Sequence, residues 1–303
     1  MKVIRFKSGL GNQMFQYALY KSLKESFNDV RADLYYIKSK NDHNGYELNN
    51  IFGIEVDEIR DEEIYEYKKL LDINRSFFNK LRRKFFGTKT SHFIEKEFIY
   101  DVNFMKRNNI VLDGYWQDIR YFKNIEDKLR EDFKFDIEKI NLNKKNHEIL
   151  KKITNSTSVS IHIRRGDYLN NEYYDKFGAV CSLDYYKKAI QIINNKYTNI
   201  NYFIFSNDID WCKKNLKLKN VNYIDWNTGS ESYMDMYIMS KCKHNILANS
   251  SFSWWAAWLN DHGDKEVICP SPWFFDDKCT NESISLDNWT KIEVPIKDEK
   301  ETK

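Results

Sequence analysis

Short apolar runs of period two alternate with longer runs of period 3.6 along most of this chain. Val3 to Phe6 is a short apolar strand that passes through Lys7-Ser-Gly9-Leu-Gly11-Asn-Gln13 into a helix. Phe15, Leu19 and Leu23 share one face of that helix, with Met14 and Ala18 beside them. Strand, glycine turn and helix predict the opening of a βαβ unit. The region from about Asp57 to Lys134 is more charged and less regular. Its landmarks are a helical run, Asp61 to Lys84, and Ile110-Val-Leu-Asp113-Gly-Tyr-Trp-Gln117, which reads as a strand running into a turn. A Lys/Asn-rich stretch from Asn141 to Ser158, with a helix around His147 to Ile153, predicts a boundary between a first domain, 1–153, and a second, 154–303.

Beyond that boundary strands and helices alternate. Strand Val159 to Arg164 is followed by helix Leu183 to Lys196, strand Tyr202 to Phe205, helix Trp211 to Leu216 and strand Asn222 to Ile224. Helix Ser232 to Cys242, strand Asn245 to Ala248, helix Phe252 to Asn260 and strand Glu266 to Cys269 continue the pattern. It predicts a doubly wound parallel sheet, whose ligands lie beyond the carboxyl ends of the strands.

Polar clusters occupy those ends. In Val159-Ser-Ile-His-Ile-Arg-Arg-Gly-Asp-Tyr168, apolar Val159, Ile161 and Ile163 alternate with Ser160, His162 and Arg164 before a turn that carries Arg165, Gly166 and Asp167. The planar fork of arginine matches phosphate oxygens bidentately, so the pair suits a diphosphate. A structural ion pair, Arg165 with Asp167 for instance, accounts for it equally well. Asn249-Ser-Ser-Phe-Ser253 opens a Trp-rich helix, where Ser250, Ser251 and Ser253 with unpaired N–H groups make an anion site, an ordinary N-cap, or both. Asp235 begins the preceding helix, which it caps, or else it accepts the paired donors of a guanine edge. Asp208-Ile-Asp210 has the form of a metal-binding Asp-x-Asp but is better placed to start the helix at Trp211.

Composition narrows the function. The 303 residues suit two domains, and 48 Lys+Arg against 45 Asp+Glu give a net charge of +3, too near neutral for a general nucleic-acid binder. Five scattered cysteines without a C-x-x-C pair argue against a disulfide framework or a zinc ribbon. With no apolar run at the start long enough for a signal peptide or membrane span, the expected location is cytoplasmic. Phe77-Phe-Asn-Lys-Leu-Arg-Arg-Lys-Phe-Phe86 mixes aromatics and cations, as does a peripheral helix on an anionic membrane or a solvated helix with one face in a core. The Gly9 turn is no dinucleotide fingerprint, because Met14 stands at the third glycine position, and no P-loop. Its N–H groups and the Asn12 and Gln13 amides face an anion or a sugar, or form a simple tight turn.

Gly9-Leu-Gly-Asn-Gln-Met-Phe-Gln-Tyr17, His162-Ile-Arg-Arg-Gly-Asp-Tyr168, and Asp235 through Asn249-Ser-Ser-Phe-Ser-Trp-Trp255 together resemble glycosyltransferase family 11, the α-1,2-fucosyltransferases. Gly114-Tyr-Trp-Gln-Asp118 is similar to its bacterial members. The resemblance covers nearly the whole chain. It implies an α/β, GT-B-like fold of two Rossmann-type domains facing a cleft, with GDP-fucose held mainly by the second domain and a galactose-terminated glycan acceptor in the cleft. Inverting transfer with neither metal nor cofactor is implied as well. Carried onto this chain, it puts Arg164 and Arg165 near the GDP phosphates and His162 and Asn249 near the nucleotide. Asp235 then reads the guanine, the Ser250 to Ser253 turn cradles the β-phosphate, and Asn12 with Gln13 faces the donor across the cleft. The general base stays open between Asp167, in the arginine motif, and Glu172, which resembles the base position of related α-1,6-fucosyltransferases. Asp167 has the alternative role of orienting an arginine, and Glu172 that of an ordinary exposed carboxylate.

Overall fold

The first apolar run forms β1 (Lys2–Arg5), and the helix Leu10–Lys24 returns the chain to β2 (Val30–Asp33). These positions come from a computed structural model that describes residues 1–40, 43–60, 91–96, 98–136, 142–166, 168, 174–178, 180–275 and 284–295. With β3 (Ser91–Ile94) and β4 (Ile110–Asp113) these strands build a four-stranded parallel sheet in the order β2-β1-β4-β3. The turn before the first helix places its positive φ of 65° on Ser8. At Gly9 a Cβ would lie 3.5 Å from the His43 ring, an ordinary contact, so space alone does not demand glycine there. β1 is buried along its whole length, Lys2 and Arg5 included, so its polar ends need partners. Lys2 Nζ donates to the carbonyls of Met105 (2.9 Å) and Arg107 (2.6 Å), and Arg5 bonds carboxylates at the other end.

The second unit is the doubly wound sheet that the alternation predicts. Its six strands are β5 (Thr157–Ile163), β6 (Ile200–Ser206), β7 (Val221–Ile224), β8 (His244–Ile246), β9 (Val267–Ser271) and β10 (Thr290–Glu293). They are all parallel and run in the order β10-β9-β8-β5-β6-β7. Helices Leu183–Lys196, Ile209–Asn215, Tyr233–Lys241 and Ser251–Leu259 make the crossovers. Read from β7, the order is that of a Rossmann sheet, with its switch point between β5 and β8. The α/β class and the two Rossmann-type units are thus as expected.

β5 differs from the simple alternation. Val159, Ile161 and Ile163 are fully buried against Tyr185, Tyr186 and Ile193, and the polar face is buried too. Helices cover both faces of a parallel sheet, so its polar positions must bond internally, as Ser160 Oγ does by accepting from Asn245 Nδ2 at 2.7 Å.

The division between the units falls at Asp132/Phe133, earlier than the expected 153/154 boundary. Packing explains the difference. Phe133 meets Trp255 at 5.1 Å and Phe135 meets Tyr237 at 5.1 Å, so this stretch already belongs to the second core. The helix Lys144–Thr154, capped by the Asn143 side chain, buries Asn146, Ile149 and Ile153 in that same unit. The expected helix Asp61 to Lys84 and the Phe77 to Phe86 run lie outside the described residues, as do Asp167, Glu172 and Cys279. No described helix is long and apolar enough to cross a membrane.

Candidate functional site

The carboxyl ends of β5 and β6 are locked together by one amide. Asn207 Oδ1 accepts from the backbone N–H of Arg165 at 2.9 Å and of Gly166 at 3.3 Å. The approach is so close that a Cβ on Gly166 would lie 2.5 Å from Asn207 Nδ2. Arg165 Nε donates to Asp208 Oδ2 at 3.1 Å, and its guanidinium carbon stands 4.1 Å from the centre of the Trp211 ring. Asp208 in turn accepts from the Trp211 N–H at 3.1 Å, so Asp208-Ile-Asp210 starts the helix as expected. Among the described residues, the ion-pair partner of Arg165 is therefore a residue of the next strand's turn. Through Nε, Arg165 thus braces the scaffold that joins the two strand ends.

Arg164 lies elsewhere, with its guanidinium carbon 5.7 Å from the Tyr168 ring. It shares a strand face with His162, two positions earlier. The His162 ring is buried 5.8 Å from that of Phe252, in the first turn of Ser251–Leu259. Burial, and then the nearby Arg164 charge, push its pKa down to about 3, so the imidazole is neutral. Its Nδ1 is buried without a hydrogen-bond partner among the described residues. Arginine, neutral imidazole and a helix N-terminus with its partial positive charge thus meet at the switch point, an arrangement suited to an anion.

The serine turn divides by role. Ser250 Oγ accepts from the Phe252 N–H at 3.3 Å and caps the helix. Ser253 is fully buried and donates to the Ala248 carbonyl at 3.0 Å. Asn249 is also interior, with Nδ2 donating to the carbonyls of Phe177 (3.0 Å) and Trp273 (3.3 Å) while its own carbonyl accepts from Tyr168 OH at 3.2 Å. Ser253 and Asn249 thus brace the turn from inside. Ser251, half-buried in the first helical turn, and the helix N–H groups are what the site presents.

Asp235 does not cap its helix. Its Oδ1 accepts from Asn227 Nδ2 at 2.7 Å. Burial raises its pKa to about 7 against that bond, with Asp225 adding repulsion, so a carboxyl otherwise ionised throughout the neutral range is poised within it.

In the first unit, Asn12 Oδ1 accepts from Gln117 Nε2 at 2.8 Å, joining the ends of β1 and β4 across that sheet's own switch point. Gln13 is a correction. Its side chain is fully buried, donating to the carbonyls of Ser8 and Gly45 (2.9 Å each) and accepting from the Glu47 N–H (2.9 Å), so it shapes the turn and presents nothing to a ligand. Sequence reasoning missed the ionic cluster beside it. Asp113 pairs with Arg5 at 2.5 Å and with Lys7 at 2.8 Å, and His92 Nε2 lies 3.3 Å away. Burial alone would raise the Asp113 pKa, but the nearby His92 ring and the two cations outweigh it and hold the carboxyl well below its usual range. Glu95, whose pKa burial raises to about 7, accepts from the N–H groups of Tyr115 (2.6 Å) and Trp116 (3.1 Å) and fixes the turn that carries Gln117. The available signal was the charge inside or just after apolar strands, at Arg5 and Asp113.

The model of Glycosyl transferase family 11 matches residues 1–293. An alpha-1,2-colitosyltransferase of Escherichia coli is 34% identical over 299 residues, covering 96% of this chain and 98% of that protein. The O-antigen biosynthesis glycosyltransferase WbnK of Escherichia coli is 33% identical over 303 residues, covering 94% of this chain and 98% of its own. A shorter match, 29% over 106 residues, covers 34% of this chain and 30% of the rat galactoside alpha-(1,2)-fucosyltransferase 2.

Proposed function

The chain belongs to glycosyltransferase family 11, and on that premise we propose that it transfers L-fucose from GDP-fucose to the 2-hydroxyl of a terminal galactose, in α-1,2 linkage. The transfer inverts the anomeric centre, needs no metal ion or cofactor, and serves the synthesis of a surface glycan of the O-antigen kind. The observation that carries this reading is the meeting of Arg164, neutral His162 and the N-terminus of Ser251–Leu259 at the switch point of the second sheet. An anion seated there takes charge-assisted hydrogen bonds without a cation of its own.

In the reaction the bond between the sugar's anomeric carbon and the β-phosphate oxygen breaks, and GDP departs with the electron pair. The acceptor oxygen forms its bond on the opposite face, and its proton passes to a carboxylate. Negative charge grows on the β-phosphate as the bond stretches, so Arg164 and the helix terminus hold the transition state more tightly than the bound donor. Asp235 accepts the paired N–H donors of the guanine edge. Asp167 and Glu172 are the candidates for the base, and the variants Asp167→Asn and Glu172→Gln separate them.

A second donor is favoured by the name of one relative, a colitosyltransferase. Colitose is L-fucose without its 3-hydroxyl, so the same site chemistry accommodates it. The test is transfer from GDP-fucose and GDP-colitose in competition, to lactose and N-acetyllactosamine with EDTA present, and NMR of the product. An α-1,2-fucosylated galactoside formed in EDTA supports the proposal. A strong preference for GDP-colitose replaces the donor, absence of transfer to any galactoside sinks the acceptor and linkage, and loss of activity in EDTA sinks the metal-free mechanism.

A further inference from the structure

The bond that Asp235 accepts is the last of a chain. Asn227 follows β7, and Asn146, 81 positions earlier, sits in the first turn of Lys144–Thr154 with its N–H held at 2.9 Å by Asn143 Oδ1. Asn146 Nδ2 donates to Asn227 Oδ1 at 2.9 Å. Asn227 Nδ2 then donates one hydrogen to Asp235 Oδ1 at 2.7 Å and the other back to Asn146 Oδ1 at 3.2 Å, so the two amides form a reciprocal pair. Both amides are buried, at 1% exposure for Asn146 and 7% for Asn227, so water cannot substitute for a lost partner.

The two ends of a side-chain amide have nearly the same shape, so its orientation is decided by a partner whose polarity cannot change. Trp226 is such a partner. Its indole N–H only donates, and it meets Asn146 Oδ1 at 2.7 Å. With the Asn146 oxygen fixed there, its NH2 must face the Asn227 oxygen, and the Asn227 NH2 must face Asp235. Reversed amides would turn a carbonyl oxygen toward Asp235, and only a protonated carboxyl could answer it. A protonated carboxyl has lost part of its capacity to accept the two adjacent donors of guanine, N1–H and the 2-amino group.

We propose that Trp226, Asn146 and Asn227 form a hydrogen-bond relay of fixed polarity that positions Asp235 and keeps it an acceptor, and that this relay sets the enzyme's preference for a guanine nucleotide. The proposal rests on the reading of Asp235 as the base-recognising residue. The three are positioning residues, because they act on the base through Asp235.

Titration calorimetry of the full-length protein at pH 8 with GDP, inosine diphosphate and ADP tests the relay. Inosine diphosphate differs from GDP only in lacking the 2-amino donor. The wild type is expected to prefer GDP over inosine diphosphate by about ten-fold or more, the worth of one charge-assisted hydrogen bond, and Asp235→Asn to lose that preference. Trp226→Phe keeps an aromatic ring and removes the donor that sets the polarity. It should lower the GDP to inosine diphosphate ratio by at least about three-fold and leave ADP affinity unchanged, and Asn227→Ala should lower the ratio further. A ratio preserved in both variants while Asp235→Asn abolishes it overturns the relay and leaves the base reading standing. A wild type that does not distinguish the two nucleotides overturns the base reading, and the relay with it.

Discussion

With Asp235 reading guanine as proposed, its raised pKa makes GDP binding depend on pH in a direction that can be worked out beforehand. In the free protein, burial lifts this carboxyl to about 7 against the single neutral bond from Asn227, and Asp225 adds to the rise. Guanine donates two hydrogens and so selects the ionised form. About 90% of Asp235 is ionised at pH 8 and about 10% at pH 6, and an apparent Kd varies as the inverse of the competent fraction. Lowering the pH from 8 to 6 should therefore weaken the guanine-dependent part of binding about ten-fold, or about 1.4 kcal/mol. The terminal phosphate of GDP titrates in the same range, with a pKa of about 6, but ADP shares that group and provides the correction. The ratio of GDP to ADP affinity, measured by calorimetry at half-unit steps, isolates the base. It should rise with pH through about 7 in the wild type. In Asp235→Asn the ratio should be low and level. A wild-type ratio constant from pH 6 to pH 8 refutes the reasoning.

Arg164→Ala should slow single-turnover transfer by about 10²- to 10³-fold, as loss of one transition-state donor does, with the unfolding midpoint unchanged. Arg165→Ala should act mainly on the scaffold, costing about 1 kcal/mol in denaturant unfolding because its partly exposed pair with Asp208 is screened by solvent; equal losses of rate in the two variants refute this division. Gly166→Ala should displace Asn207 and release two N–H bonds at a cost of about 1 to 3 kcal/mol, and unchanged stability would contradict the close approach. Asp113→Asn should cost about 3 kcal/mol at pH 7 by leaving Lys7 without its carboxylate and Arg5 with Asp33 alone. Since folding depresses this pKa, the stabilisation is fully present above about 4, the unfolded value, and is lost as pH falls through the folded one. The gap between variant and wild type should therefore close in acid.

The second unit was largely legible in the sequence because its strands are apolar and its crossovers are amphipathic, as in Leu183–Lys196. β2 and β3 of the first unit went unseen, as did β10, each only four residues long and mixed in polarity, as in Ser91–Ile94. In such strands tertiary pairing outweighs local preference. The chemistry at strand ends was legible by residue type, but its partners were not. Arg165 could not be given to Asp208 without the register that sets β5 beside β6, and Asn146 lies far from Asn227 along the chain. Gln13 misled because glycine turns expose backbone donors, whereas here a buried amide answers the turn from inside.

Asn249 has a consequence for the span of chain that it holds at both ends. Through its carbonyl it holds the Tyr168 hydroxyl, and through its amide the Phe177 carbonyl. Tyr168 and Phe177 are thus tied to one anchor just ahead of the helix Ser251–Leu259. Closing a span between fixed ends costs little more when it lengthens, about 0.6 kcal/mol for each doubling. A change of length between Tyr168 and Phe177 should therefore cost little in stability, provided Asn249 keeps both bonds.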